Sequence, residues 1–196
     1  SMSNAGMIRL LQFLNTTFIF IIPPFAFVYL FKDKSKTYLG LKAPKPAHIL
    51  LAILSIIVAI PLINLLVTWN ESLRMPEFMS GIENWMKESE KNAGEVTEKI
   101  LSGTNIGSLL INILIIAMMP GIGEELFFRG LLQKIFSNAY VNKKPEDKRR
   151  NTWSNHLAIW TVAIIFSAIH LQFYGFIPRM LLGVWFGYLL FWTGSV

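Results

Sequence analysis

Residues 106–138 read IGSLLINILIIAMMPGIGEELFFRGLLQKIFSN, and this stretch decides the fold. No charge occurs for 24 residues between Lys99 and Glu124. A helix needs about 20 apolar residues to cross the hydrocarbon of a bilayer. The stretch is therefore predicted to be a membrane helix. Glu124, Glu125 and Arg129 then stand inside it. Ionisable groups at that depth cost on the order of 3 kcal/mol each on insertion scales, and they usually mark a function.

The same pattern repeats on either side. Uncharged windows of 22 residues (Arg9 to Lys32), 25 (Lys45 to Glu71), 28 (Arg150 to Arg179) and 17 (after Arg179) flank the first. They predict helices over Met7 to Phe31, kinked by Pro23 and Pro24, over Ala47 to Trp69, from Trp153 to beyond His170, and from Pro178 onward. With the helix from Ile106, the expected fold is all-α, a polytopic transmembrane helix bundle of about five spans. Only 15% of the 196 residues are charged and 53% are hydrophobic, whereas a soluble domain carries about 25% charged residues. This excludes a water-soluble monomer and an intrinsically disordered chain.

A net charge of +6 would suggest nucleic acid in a soluble protein. Here the cations cluster in two loops. Lys32, Lys34, Lys36, Lys42 and Lys45 face a single Asp33, and Lys143, Lys144, Lys148, Arg149 and Arg150 face Glu146 and Asp147. Clustering of this kind sets the cytoplasmic side of a membrane protein. The partner is thus the lipid bilayer, and no nucleic acid is expected. The chain has no cysteine, which excludes disulfides, thiolate metal sites and a thiol nucleophile. The first apolar run is too long for a signal-peptide core and is expected to be a retained helix.

Between Asn70 and Asn105 stand seven Glu, three Lys and one Arg, a net charge of −3, suited to the opposite side of the membrane. Met75, Phe78, Met79, Ile82, Trp85 and Met86 recur there at helical spacing, which predicts an amphipathic helix on the membrane surface. Residues 1–105 are thus expected to hold two transmembrane helices and this extracytoplasmic segment. Residues 106–196 hold the helices that carry the polar residues. Gly183 and Gly187 form a GxxxG pair suited to close helix packing.

Ten of the twelve acidic residues lie in the loops, so Glu124 and Glu125 stand out. Glu125 and Arg129 are four apart and share a helix face, which predicts an ion pair. Glu124 is rotated by about 100° and faces elsewhere. Both Glu124 and His170 lie about 14 residues, or about 21 Å, from the hairpin between their helices. Antiparallel packing would bring them to one level, where a carboxylate and an imidazole can activate water. Asp33 and Asp147 lie in loops, so an intramembrane aspartyl dyad is excluded, and no HExxH zinc helix is present. No metal and no cofactor is expected. Ser167 lacks placed oxyanion donors, and His48 and His156 are expected to be interfacial or capping residues.

EELFFR (Glu124 to Arg129) matches the EExxxR motif, and FSAIH (Phe166 to His170) the FxxxH motif, of the intramembrane CPBP proteases. That family includes the prenyl-protein CAAX endopeptidases and the bacteriocin-processing and abortive-infection immunity proteins. The resemblance covers about Ser108 to Val196. It implies an intramembrane endopeptidase in which Glu124 and His170 activate a water without bound metal, against a peptide bond of a membrane-associated peptide or protein substrate. It also implies that Glu125 and Arg129 shape the site, that Phe166 packs beneath it, and that the protein resides in a cell membrane, the bacterial inner membrane. A further family motif, a His followed four residues later by Asn on a later helix, finds no match here, so the chain resembles a copy truncated before it. The alternative is a non-catalytic immunity or scaffold protein that uses the same cluster for binding.

The charge pattern places the N-terminus outside and both basic loops inside. Cysteines introduced at Ser35 and Asn142 should resist an impermeant thiol reagent added to intact cells. Labelling of either one from outside would reverse the topology.

Overall fold

Residues 2–31, 38–43, 45–73, 75–101, 105–140 and 148–194 are described by the computed structural model. Among them every regular element is helical. Helix α1 runs through Met2–Asn15, a π-helical stretch Thr16–Ile21, and Ile22–Phe31. Helix α2 is Pro46–Ser72 and α3 is Ser80–Leu101. The run Ile106–Tyr140, α4, includes π-helical stretches at Ile113–Met118 and Glu125–Leu132. Helix α5 is Lys148–Ala168, and a 3₁₀ turn, Phe173–Gly175, leads into α6, Phe176–Thr193. The basic residues Lys32, Lys34, Lys36, Lys143 and Lys144, and positions 35 and 142, lie outside the described residues.

Four helical runs, Ala5–Phe31, Pro46–Ser72, Ile106–Tyr140 and Phe173–Thr193, are long and apolar enough to cross a membrane. The protein is thus a multi-pass membrane protein. Helix α5, expected as a fifth span, is less apolar, because its first turns carry Asn151, Thr152, Ser154, Asn155 and His156. It can be so because it packs along α4 and α6. Ala158, Ile159, Val162, Ala163 and Phe166 are buried there. A helix wrapped by protein does not need an apolar surface all round. Helix α2 shows the opposite pattern, with Leu50, Leu51, Ile57, Val58 and Leu65 all more than half exposed, as a lipid-facing helix requires.

Two of the wide π turns stand just ahead of prolines, Thr16–Ile21 before Pro23 and Pro24, and Ile113–Met118 before Pro120. Proline donates no backbone hydrogen bond and crowds the carbonyl one turn earlier. Local rewinding is how a membrane helix absorbs that defect. The first of these turns meets α4 at Gly123, where a Cβ would come within 3.1 Å of Phe20, 3.2 Å of Thr16 and 3.3 Å of Ile21. This close approach seats α1 directly behind Glu124. About two turns further along, Leu39 is fully buried with Val28 and Leu131. Lys134 donates to the Tyr38 carbonyl, which pins the segment after α1 to the end of α4.

The amphipathic helix is longer than its apolar stripe suggested. It crosses the acidic end of the bundle. Trp85 packs on Phe173 with ring centroids 5.2 Å apart, while Phe78 is 85% exposed. Arg9 ties its far end down, donating to Asn112 Oδ1 at 2.9 Å and to the Ile100 carbonyl at 3.1 Å. His156 is a packed residue, not a free interfacial one, with Nδ1 2.7 Å from the Tyr188 hydroxyl.

Gly183 and Gly187 face α5. A Cβ on Gly187 would meet Ile159 Cγ2 at 2.8 Å, and one on Gly183 would meet Ala163 Cβ at 3.2 Å. The β-branched Ile159 cannot swing its Cγ2 away without changing rotamer. Gly187→Ala should therefore destabilise the protein by about 1–3 kcal/mol, the usual penalty of overpacking, while Gly183→Ala costs less. Thermal unfolding in detergent micelles checks this, and an equal or larger loss for Gly183→Ala would contradict the packing described.

Candidate functional site

The two motifs meet. Glu124 closes the α-helical section Met119–Glu124, and Glu125 opens the π-helical stretch that follows. The adjacent carboxylates serve different neighbours. Glu125 Oε1 lies 3.2 Å from Arg129 Nη1. That contact is ionic and not a hydrogen bond, because Nη1 has no partner at an acceptable angle. The Arg129 side chain is 1% exposed. Its guanidinium sits 4.5 Å from the Phe166 ring centre and 5.6 Å from that of Phe186, and Nη2 donates to the Gly183 carbonyl at 3.4 Å. One turn on, Gln133 Nε2 donates to the Gly187 carbonyl at 3.1 Å. Donors four residues apart on α4 thus meet carbonyls four residues apart on α6.

Glu124 faces His170, whose Nε2 lies 3.9 Å from Glu124 Oε1. On its other edge the imidazole Nδ1 is 2.7 Å from the Phe166 carbonyl. A carbonyl only accepts, so Nδ1 carries the proton, and in the neutral ring Nε2 is left as an acceptor toward Glu124. Phe166 packs between the parts of the site. Its ring centre is 5.0 Å from that of His170 and 5.1 Å from that of Phe128. Glu124 and His170 keep 21% and 27% of their side-chain surfaces exposed, so the cluster has a sealed side at Arg129 and an open side at this pair.

One placement differs from expectation. His170 is not inside helix α5, which ends at Ala168, but in the turn beyond it. Leu171 there adopts φ 52°, the left-handed region that a non-glycine residue enters at a cost of about 1–2 kcal/mol. The sharp turn keeps His170 against the last turn of α5 through its bond to Phe166. Asn70, at the end of α2, secures the segment that follows by donating to the carbonyls of Phe173 and Tyr174. Ser167 is a structural group, its hydroxyl donating to the Phe176 carbonyl at 2.6 Å.

Several of these partners were missed in the sequence. Gln133 carried a usable signal, because Glu125, Arg129 and Gln133 form a four-residue ladder matching the spacing of Gly183 and Gly187. Asn70 and Gln172 carried none, since a polar residue at a helix end is ordinary. Among the described residues no group of three or more His, Asp or Glu side chains could hold a metal ion.

Within the membrane bundle a carboxylate and an imidazole thus stand side by side, next to a buried guanidinium. The sequence model of the family described as type II CAAX prenyl endopeptidase Rce1-like matches residues 106–196, which contain both motifs. Over these residues the chain is similar to that family. Its membrane-spanning helices and this likeness suit a protease whose substrate is presented at the bilayer. No curated protein and no solved structure matches the chain.

Removing one partner of a buried ion pair typically costs about 3–5 kcal/mol. Glu125 is 32% exposed, so Glu125→Gln should cost less, on the order of 2 kcal/mol, as read by thermal unfolding. Arg129→Lys should not restore wild-type stability, because an ammonium cannot stack flat on Phe166 while bonding to Gly183. Wild-type stability in either variant would show that the pair does not hold the site.

Proposed function

We propose that the protein is a glutamate-type intramembrane endopeptidase of the cytoplasmic membrane, in which Glu124 and His170 activate a water without a metal. The observation that carries this reading is the 3.9 Å approach of Glu124 Oε1 to His170 Nε2, from two motifs on consecutive helices. The separation is too long for a direct hydrogen bond. A water about 2.8 Å from both acceptors would bridge them from one side.

In the reaction, that water gives a proton to the pair as its oxygen attacks the carbonyl carbon of the scissile peptide. The tetrahedral intermediate then collapses, the C–N bond breaks, and the pair returns the proton to the leaving amine. Glu125, Arg129 and Phe166 act as positioning residues. The ion pair and the stacked ring hold the helix turn from which Glu124 projects and the helix end that anchors His170. The substrate is a membrane-presented peptide or protein, consistent with the CAAX endopeptidase family that the chain resembles.

Loss of a general base typically lowers the rate by about 10² to 10⁴. Glu124→Gln and His170→Ala should each reduce cleavage of a quenched membrane peptide by that factor, with unfolding temperatures close to wild type. Full turnover by the Glu124 variant would remove the catalytic assignment.

A further inference from the structure

Helix α1 turns one face toward the protein and another away from it. Thr16, Pro24 and Val28 are buried on the inner face, where the first π turn closes over Gly123. The outer face holds a groove of about 460 Å³ whose lining, Ile8, Leu11, Gln12, Asn15, Phe18 and Ile19 among it, comes from α1 alone. Leu11 and Phe18 are more than half exposed.

Two amides interrupt this apolar surface. Gln12 is half-buried, whereas Asn15 is exposed and makes no side-chain bond to the turn that it opens. Among the described residues the Asn15 amide has no hydrogen-bond partner. The membrane span that contains it starts at Ala5. Ten residues further along, about 15 Å at 1.5 Å per residue, Asn15 lies near the middle of a hydrocarbon layer about 30 Å thick. No water satisfies a carboxamide at that depth, and amides there act as glue between helices.

Spacing and symmetry identify the helix that fits. Ile8, Leu11, Asn15, Phe18 and Ile22 follow one another at intervals of three, four, three and four residues, the a and d seam along which two helices pack knobs into holes. Copies of one membrane protein insert with the same orientation. Two α1 helices therefore meet in parallel, and equivalent residues face each other across a two-fold axis. A carboxamide both donates and accepts, so Asn15 is complementary to itself at that axis. A single Asn at an a position also fixes the register of such a pair.

We propose that the outer face of α1 is a homodimer interface, in which Asn15 hydrogen-bonds to its counterpart in a second copy of the chain across a two-fold axis along the membrane normal. The proposal is independent of the reading of Glu124 and His170.

The sequence has no cysteine, so single introduced cysteines report the geometry directly. In liposomes holding the full chain, Leu11→Cys and Phe18→Cys should each give a disulfide-linked dimer on mild oxidation. Leu10→Cys and Phe13→Cys, exposed on the same helix but off the seam, should not. Energy transfer between donor- and acceptor-labelled copies, each labelled at Glu98→Cys, is then followed as lipid is added to dilute the protein in the bilayer. Asn15→Leu should raise the dissociation constant about tenfold, as expected for hydrogen bonds between membrane helices, and Asn15→Gln should keep most of the association. At high dilution Asn15→Leu should unfold at the wild-type temperature, which separates loss of the interface from loss of the fold. Crosslinks at Leu10 or Phe13 as strong as those at Leu11 and Phe18 overturn the proposal, as does a dissociation constant unmoved by Asn15→Leu. A lower unfolding temperature for the diluted Asn15→Leu chain overturns it too, by placing the partner of Asn15 within the chain. So does an absence of energy transfer at every dilution, which would assign the groove to lipid or to a different protein.

Discussion

Arg129 is sealed inside a bundle that itself lies in hydrocarbon, with 1% of its side chain exposed. A guanidinium there must be surrounded by groups that replace water, and the surrounding structure depends on supplying them. Glu125 provides the counter-charge, the Gly183 carbonyl provides an acceptor, and Phe166 and Phe186 provide ring faces. They come from three helices, with Gly183 and Phe186 both on α6. Satisfying one cation therefore draws α4, α5 and α6 to a common point, and it does so at the residue that follows Glu124 by five.

The glycines make that convergence possible. Without side chains at 183 and 187, α6 lies close enough to α5 for Ile159 and Ala163 to fill the space, and its backbone carbonyls come within reach of Arg129 and Gln133. In water such hydrogen bonds would compete with solvent. At membrane depth the alternative is an unsatisfied polar group, so modest contacts fix the register of helices that hydropathy alone would leave free to slide. Gly123 does the same on the other side of α4, where it lets the π turn of α1 press against the helix just before Glu124.

Around this fixed frame Glu124 and His170 are arranged more loosely. Glu124 and His170 remain partly exposed and do not touch, and His170 hangs from a strained turn at Leu171 rather than from a regular helix. Strain held beside a polar pair is a common signature of a working site. Arg179 is oriented in the same region by a neutral side chain, which leaves its charge uncancelled by contact. A sealed guanidinium thus carries the architecture, while Glu124, Glu125 and His170 around it stay partly exposed.

The sequence by itself determined the all-helical membrane fold, through its uncharged windows, and it singled out Glu124, Glu125, Arg129 and His170, because charge is rare in such windows. That Glu124 and His170 could meet was legible from their placement on consecutive helices, whereas their exact level was not, because α4 carries a π-helical stretch and the helix ends differ from those expected. The pairing of Glu125 with Arg129 followed from a four-residue spacing on one face. Tertiary structure alone decided the rest. That His170 lies past the end of α5, that Phe166 and Phe186 box Arg129, and that Asn70 and Gln172 support the mouth all depend on which faces of separate helices meet. Periodicity in one dimension records how far each face is buried, whereas the partner of each face is set by close packing between separate segments of the chain.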